Sequence, residues 1–229
     1  MPEALAGALR RLSPMAVMLS GGVDSRLLCH LARLCGCDVL ALHALGPHLP
    51  AEETAHAVEW AAARGLALHA VAVDVLALPQ VAANGRERCY ACKKALIAAF
   101  RDALFSLGEG GRVLCDGTNA DDAAAYRPGG RALAEGGVRS PLKEAGLTKA
   151  GIRALAAATG LDEPGQKARP CLLTRLAYGM PPDAETLARI ARAEASVGRV
   201  LAGFGVERDY RLRLAPEPLL QMQIPPGGA

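Results

Sequence analysis

Aromatic side chains are scarce in this 229-residue chain, with one tryptophan, four tyrosines and three phenylalanines. So few rings argue against a surface that binds nucleic acid by stacking bases. A large surplus of one charge is missing as well. The net charge of +3 argues against a protein that grips long stretches of nucleic acid by charge alone. No apolar run reaches the length of a membrane span, and the opening MPEALAGALRRLSP holds no signal core. A cytoplasmic protein that does not enter a membrane is therefore expected. Seven cysteines, an odd number, argue against a complete set of internal disulfides and for reduced thiols or metal ligands.

What is present is an alternation of strand and helix. MAVML (15–19), DVLALHAL (38–45), LALHAVAVDV (66–75) and RVLCDG (112–117) are apolar runs of strand character separated by helical patterns. Strands spaced by helices of this length predict a parallel sheet in an α/β domain, placed over residues 1–160. The Gly- and Arg-rich segment 121–146 predicts a functional loop with short helices. A helix follows over 147–160, with Thr148 at its start and Gly160 at its end. From residue 161 prolines and glycines punctuate the chain, followed by the amphipathic AETLARIARAEASVGRVLAG. Two short strands, DYRLRL (209–214) and LLQMQI (219–224), close a smaller α+β region assigned to residues 161–229.

Chemistry is concentrated in MLSGGVDSRLL, where a buried strand runs into Ser20-Gly21-Gly22-Val23-Asp24-Ser25 and then a helix. Glycines let a backbone approach an anion, and free amides at a helix N-terminus point at it. Ser20 and Ser25 add hydroxyl donors, and Asp24 is placed to hold Mg²⁺ beside phosphates. The order Ser-Gly-Gly-x-Asp-Ser matches neither the Walker nor the dinucleotide fingerprint. It resembles the pyrophosphate (PP) loop of the ATP pyrophosphatases, which implies a Rossmann-like adenine nucleotide α hydrolase domain with ATP as substrate. CDGTNADD brings Gly117, Thr118, Asn119, Asp121 and Asp122 to the end of the fourth strand, where such folds bind ligands, although these residues also form ordinary turns.

Cysteine use raises a second question. NGRERCYACKKAL carries a Cys-x-x-Cys pair, Cys89 and Cys92, which suits a redox dithiol, half a zinc site or part of an iron–sulfur site. Cys29 and Cys115 fall inside a helix and a strand and are expected as buried small hydrophobes, while Cys35 and Cys37 flank a glycine at a helix end. Cys171, in KARPCLLTR, lies among Lys167, Arg169 and Arg175, charges that favour a thiolate. It is the natural third partner of the pair. Structural zinc wants four ligands, whereas three thiolates hold a [4Fe–4S] cluster with one iron open. A catalytic dithiol would need only Cys89 and Cys92.

Five blocks together resemble the LarE family of ATP-dependent sulfur insertases: SGGVDS (20–25), NGRERCYACKKAL (84–96), DGTNADD with YRPG (116–129), GVRSPLKEAGLTKAGIR (137–153) and PCLLTRLAYG (170–179). The resemblance implies conversion of the carboxylates of pyridinium-3,5-biscarboxylic acid mononucleotide to thiocarboxylates through adenylylation, in biosynthesis of the nickel-pincer nucleotide. Cys89, Cys92 and Cys171 stand where one branch of the family holds a [4Fe–4S] cluster; another branch sacrifices the sulfur of a single cysteine. The resemblance also implies ATP and Mg²⁺, a sulfide or other sulfur donor, a homo-oligomer, and a substrate-phosphate role for Arg211 and Arg213, with Arg175 a further candidate. Glu194 falls near an acidic family position and otherwise reads as a surface glutamate. Arg26 replaces a small threonine and reads as a helix-surface change. DEPGQKARP lacks the family's tryptophan, and the C-terminal glutamines depart from its Arg-Ile-Glu. A tRNA thiolase, an amide-forming ligase such as an NAD synthetase, and a non-catalytic nucleotide sensor are the competing readings.

Overall fold

Continuous apolar runs suit strands covered on both faces, and here they form the centre of a parallel sheet. In the computed structural model of the chain, β1 (Met15–Met18), β2 (Val39–Leu45), β3 (Leu68–Ala72) and β4 (Val113–Cys115) pair in the order β3-β2-β1-β4, all parallel. Met15 of β1 lies opposite Val39 on one side and Val113 on the other, and every residue of β1 is buried. The structure describes residues 1–124, 128–206, 210–214 and 220–224.

Parallel neighbours need crossovers, and helices supply them. After α1 (Glu3–Arg11), α2 (Val23–Leu34) joins β1 to β2 and α3 (Ala51–Ala63) joins β2 to β3. Between β3 and β4 come the short α4 (Pro79–Ala82) and the long α5 (Arg88–Ser106), the latter reaching two residues further toward the N-terminus than its apolar pattern. The loop expected over 121–146 contains α6 (Pro128–Glu135) and α7 (Pro141–Glu144). In α8 (Lys149–Ala158) the Thr148 hydroxyl accepts from the Gly151 amide at 3.2 Å, and Gly160 takes φ +74° just beyond its end. Leu5, Leu9, Leu27, Leu28, Leu31, Leu142 and Ile152 bring α1, α2, α7 and α8 into one core with β1.

The chain divides into two compact units. One comprises Met1–Leu45, Ala51–Val73 and Cys89–Ala168. The other comprises Gly46–Pro50, Asp74–Arg88 and Arg169–Ala229. In the second, α9 (Ala184–Gly203) starts at Asp183, whose carboxylate accepts from the Thr186 amide at 2.8 Å. β5 (Arg211–Leu214) and β6 (Leu220–Gln223) form an antiparallel pair. Val75, Val81, Leu172, Leu173, Leu176, Leu187, Ile190 and Leu212 are among its buried apolar residues. No helix among the described residues is long and apolar enough to cross a membrane.

Arg26 corrects the expectation of a helix-surface change: it is fully buried. The first two turns of α2 are covered nearly all round, so a side chain at 26 has no route to solvent. Its guanidinium donates to Asp162 Oδ2 at 3.2 Å and Gln166 Oε1 at 2.9 Å and lies 5.8 Å from the Trp60 ring. Trp60 Nε1 in turn donates to Asp162 Oδ1 at 3.0 Å. Burial alone would raise the Asp162 pKa, but the indole N–H and the Arg26 and Arg64 charges outweigh it and hold the carboxyl below its usual range. Its stabilising contribution is therefore present above the unfolded value near 3.9 and is lost as pH falls through the lower folded one.

Replacing this buried cation leaves Gln166 and Asp162 without their shared donor. Arg26→Met is expected to lower unfolding free energy by about 2–4 kcal/mol in urea at neutral pH. The deficit should narrow in the same measurement at acid pH, once Asp162 is protonated.

Candidate functional site

Where the sheet order turns back on itself, two strand ends lie side by side. β2 and β3 continue to one side of β1, while β4 lies on the other, so the switch point falls between β1 and β4. Ser20–Ser25 leaves the first of these strands and Gly117–Asn119 follows the second.

Gly21 turns the chain with φ +85°, and a Cβ there would sit 3.4 Å from the Ala57 Cβ. Gly22 is the N-cap of α2 and offers no side chain to its amides, which leaves the helix start open to an anion. Ser25 Oγ donates to the Gly22 carbonyl at 3.1 Å and accepts from the Ser20 amide at 3.2 Å; the two serine hydroxyls are also 3.2 Å apart. The loop is thus closed by its own hydroxyls.

Among the described residues, Gly117 makes the closest glycine approach to backbone atoms. A Cβ on it would lie 2.7 Å from the Ser25 nitrogen and 2.9 Å from the Asp24 carbonyl carbon. Only a glycine lets the end of β4 press against the first turn of α2. Asp116, buried beside it, accepts from Thr118 Oγ1 at 2.5 Å and Ser140 Oγ at 2.6 Å. Asn119 Nδ2 donates to Asp24 Oδ2 at 2.9 Å, while Asn119 and Asp122 exchange backbone–side-chain bonds at 3.2 Å.

Lys149 completes this group and was given no individual role by the sequence, although it lies within the GVRSPLKEAGLTKAGIR block. Its Nζ donates to Asp24 Oδ1 at 2.6 Å and Oδ2 at 2.8 Å. It is the first residue of α8, placed there by the Thr148 cap, and its own amide donates to Asp121 Oδ2 at 2.7 Å. Asp24 is thus a carboxylate already holding a cation at the mouth of an amide-lined loop. A divalent ion fits that place as a substitute for the ammonium, because Mg²⁺ commonly takes one or two carboxylates and fills its shell with phosphate oxygens and water.

The cysteines divide between the units. All seven are unbridged. Cys89 and Cys92 occupy the first turns of α5, spaced to share one helix face, with Cys89 exposed and Cys92 half-buried. Cys171 lies in the second unit, half-buried, at the start of a 3₁₀ turn (Leu172–Arg175), where its carbonyl accepts from the Thr174 amide at 3.1 Å. Thiol donors of this kind fit iron, and the exposed pair fits two coordination positions. Among the described residues, however, no three or more His, Cys, Asp or Glu side chains form a group that could hold a metal ion. Cys29 and Cys115 are buried as expected, and burial pushes both thiols up to about 12. Cys35 and Cys37 lie at the end of α2, their pKa values raised first by desolvation.

In the second unit the basic residues have distinct settings. Arg175 is buried and forms a fork on Glu194, Nε to Oε1 and Nη2 to Oε2 at 2.9 Å each, while Nη1 donates to the Pro170 carbonyl and Thr174 Oγ1. Glu194 Oε1 also accepts from the Leu212 amide at 2.9 Å. Its side chain is only 15% exposed, which corrects the surface reading: α9 turns it inward onto β5 and the Cys171 loop. Arg211 and Arg213 alternate with buried Leu212 on β5 and share the opposite face of the strand. Arg213 Nε is buried without a hydrogen-bond partner among the described residues, a donor suited to an oxyanion. Tyr126, Arg127 and residues 215–219 and 225–229, which carry part of the family blocks and of the divergent C-terminus, lie outside the described residues.

Comparison with known proteins gives several matches along the sequence. Residues 1–84 match the asparagine synthase family. An uncharacterized protein of Synechocystis sp. is 35% identical over 211 residues, spanning 92% of this chain and 76% of that one. The pyridinium-3,5-bisthiocarboxylic acid mononucleotide synthase of Lactiplantibacillus plantarum is 31% identical over 192 residues, 83% of this chain and 69% of the synthase. An uncharacterized protein of Methanocaldococcus jannaschii is 28% identical over 195 residues, 85% of this chain and 73% of its own length.

The approach at Gly117 gives a direct test of how tightly the two strand ends are coupled. Gly117→Ala forces its new methyl against backbone atoms that cannot rotate away. A loss of about 1–3 kcal/mol in chemical denaturation is expected, together with weaker ATP binding in calorimetry.

Proposed function

The chain belongs to the LarE family, and on that premise we propose that it is an ATP-dependent sulfur-transferring enzyme that converts the carboxylates of pyridinium-3,5-biscarboxylic acid mononucleotide to thiocarboxylates. The observation that carries the reading is the grouping of Asp24, Asn119 and Lys149 at the mouth of the Ser20–Ser25 loop. A carboxylate is a poor electrophile, so it must first be given a leaving group. Its oxygen attacks the α-phosphorus of ATP, the bond to the pyrophosphate oxygen breaks, and an acyl adenylate forms.

In this proposal the amides of Gly21 and Gly22 and the hydroxyls of Ser20 and Ser25 hold the departing pyrophosphate. Asp24 would hold Mg²⁺ against the same oxygens, supplying charge neutralisation as pyrophosphate leaves. With Asp24 engaged by the ion, Lys149 would be free to pair with the phosphates. Gly117, Thr118 and Asn119 form the opposite wall of the nucleotide site. Arg211 and Arg213 take the phosphate of the mononucleotide, for which the unpaired Nε of Arg213 is a ready donor. Arg175 has its donors committed to Glu194, Pro170 and Thr174, so we assign it to bracing the Cys171 loop rather than to touching substrate.

Sulfur then replaces AMP at the activated acyl carbon. Cys89, Cys92 and Cys171 would be the ligands of a [4Fe–4S] cluster, which when bound supplies inorganic sulfur so that the chain keeps its own. A second reading has one observation in its favour: Cys171 belongs to a different unit from the pair. In that reading the Cys171 sulfur is itself transferred and the residue is left as dehydroalanine.

An anaerobic preparation analysed for iron and sulfide, then incubated with ATP and the biscarboxylate, separates these readings. About four irons per chain, lost in Cys171→Ala, together with a product that gains the mass difference between sulfur and oxygen, is the expected result. An iron-free protein that loses the mass of H₂S once per chain favours the sacrificial route. Absence of AMP formation with this acceptor would overturn the substrate assignment. Asp24→Asn should slow AMP formation by about 10²-fold or more while iron content is retained.

A further inference from the structure

Asn84 is fully buried and takes φ +47°, and all its polar groups are used. Its Nδ2 donates to the carbonyls of Ala177 and Met180, both at 2.8 Å, and its own carbonyl accepts from the Gly179 amide at 3.1 Å. Its Oδ1 accepts from Arg88 Nη1, and its amide donates to the Val81 carbonyl at 2.8 Å. The Arg88 guanidinium, itself buried, stacks 4.6 Å from the centre of the Tyr178 ring. One amide side chain thus gathers the turn at residues 177–180, and one guanidinium lies across it.

Both partners belong to segments that carry the cysteines. Arg88 is followed immediately by Cys89, and the turn at 177–180 ends the stretch that begins at Cys171. The intervening residues hold that stretch firm: Leu172, Leu173 and Leu176 are buried, and the Leu172 amide donates to the His48 carbonyl at 2.8 Å. We infer that Asn84 and Arg88 are positioning residues, a clamp within the second unit that holds the turn closing the loop that bears Cys171. Its bearing on sulfur chemistry rests on the three-cysteine reading proposed above; the clamp itself does not.

Side chain and backbone can be separated at this position. Asn84→Gly keeps the left-handed conformation without strain and removes only the amide. In the metal-free protein, Cys171 of this variant is expected to react with iodoacetamide about tenfold faster than in the parent chain, with Cys35 of the same molecule as internal reference. ATP affinity, read by calorimetry, should change by no more than about twofold, because the clamp lies outside the nucleotide unit. Iron bound per chain after anaerobic reconstitution should fall in parallel.

Equal Cys171 reactivity in the two proteins would overturn the clamp. A parent chain that takes up no iron, with the rise in Cys171 reactivity intact, would leave the clamp standing and remove the cluster. Arg88→Lys, which keeps the charge but loses the planar stack on Tyr178, is the second variant should the glycine protein fail to fold, and the same direction of change is expected.

Discussion

The proposed nucleotide site depends on one close approach, that of Gly117 to the first turn of α2. With 2.7 Å between a would-be Cβ and the Ser25 nitrogen, no other residue lets the two strand ends meet as they do. The approach is set by topology: β4 pairs with β1 on the side away from β2, so both strand ends open onto one crevice. From it follow the reach of Asn119 to Asp24 and the placement of α8, whose first residue is Lys149. A flat anion-binding loop would need only the glycines. A loop that also manages charge needs the second strand end pressed against it.

Asp24 and Lys149 neutralise each other at that crevice at 2.6 Å, only partly shielded from water. An exposed pair of this kind contributes little to stability. Its proposed value lies in what each partner would do when a nucleotide and a metal ion arrive. In the proposed mechanism the carboxylate, released from ammonium, would accept a divalent cation, and the ammonium so freed would face the phosphates. Exchange of partners costs less than stripping water from two isolated charges, so the pair prepares the site without holding either charge bare.

Much of the first unit was legible because its signals are local. Continuous apolar runs marked all four strands of the sheet, and Thr148 and Gly160 bracketed α8. The Ser20–Ser25 loop was recognisable as a turn from a buried strand into a helix start. What pattern could not show is whatever depends on contact between distant residues. Arg26 looked like a surface substitution because helical periodicity says nothing about a guanidinium that meets Asp162 and Gln166. Glu194 looked exposed because its partners, Arg175 and the Leu212 amide, lie 19 and 18 residues away. Asn84 sat in a motif quoted for its cysteines, and its role appears only in the carbonyls of Ala177 and Met180. Segments 46–50 and 74–88 join the second unit through such contacts, too.

Scarcity of aromatics constrains how the proposed substrate can be held. Of the four tyrosines, Tyr90 is covered by Arg131 at 4.0 Å and donates to Glu135, and Tyr178 carries Arg88 on one face. The single tryptophan is buried against Arg26 and Arg64. Ring stacking therefore serves arginine placement within the protein. The proposed mononucleotide, with a phosphate and two carboxylates, offers charge instead, and the guanidiniums on alternate positions of β5 are its proposed partners. Because Leu212 between them is buried, the strand cannot slip by one residue without burying two charges. The register that hides Leu212 is the same register that presents Arg211 and Arg213, so packing and the proposed recognition in the second unit are one constraint.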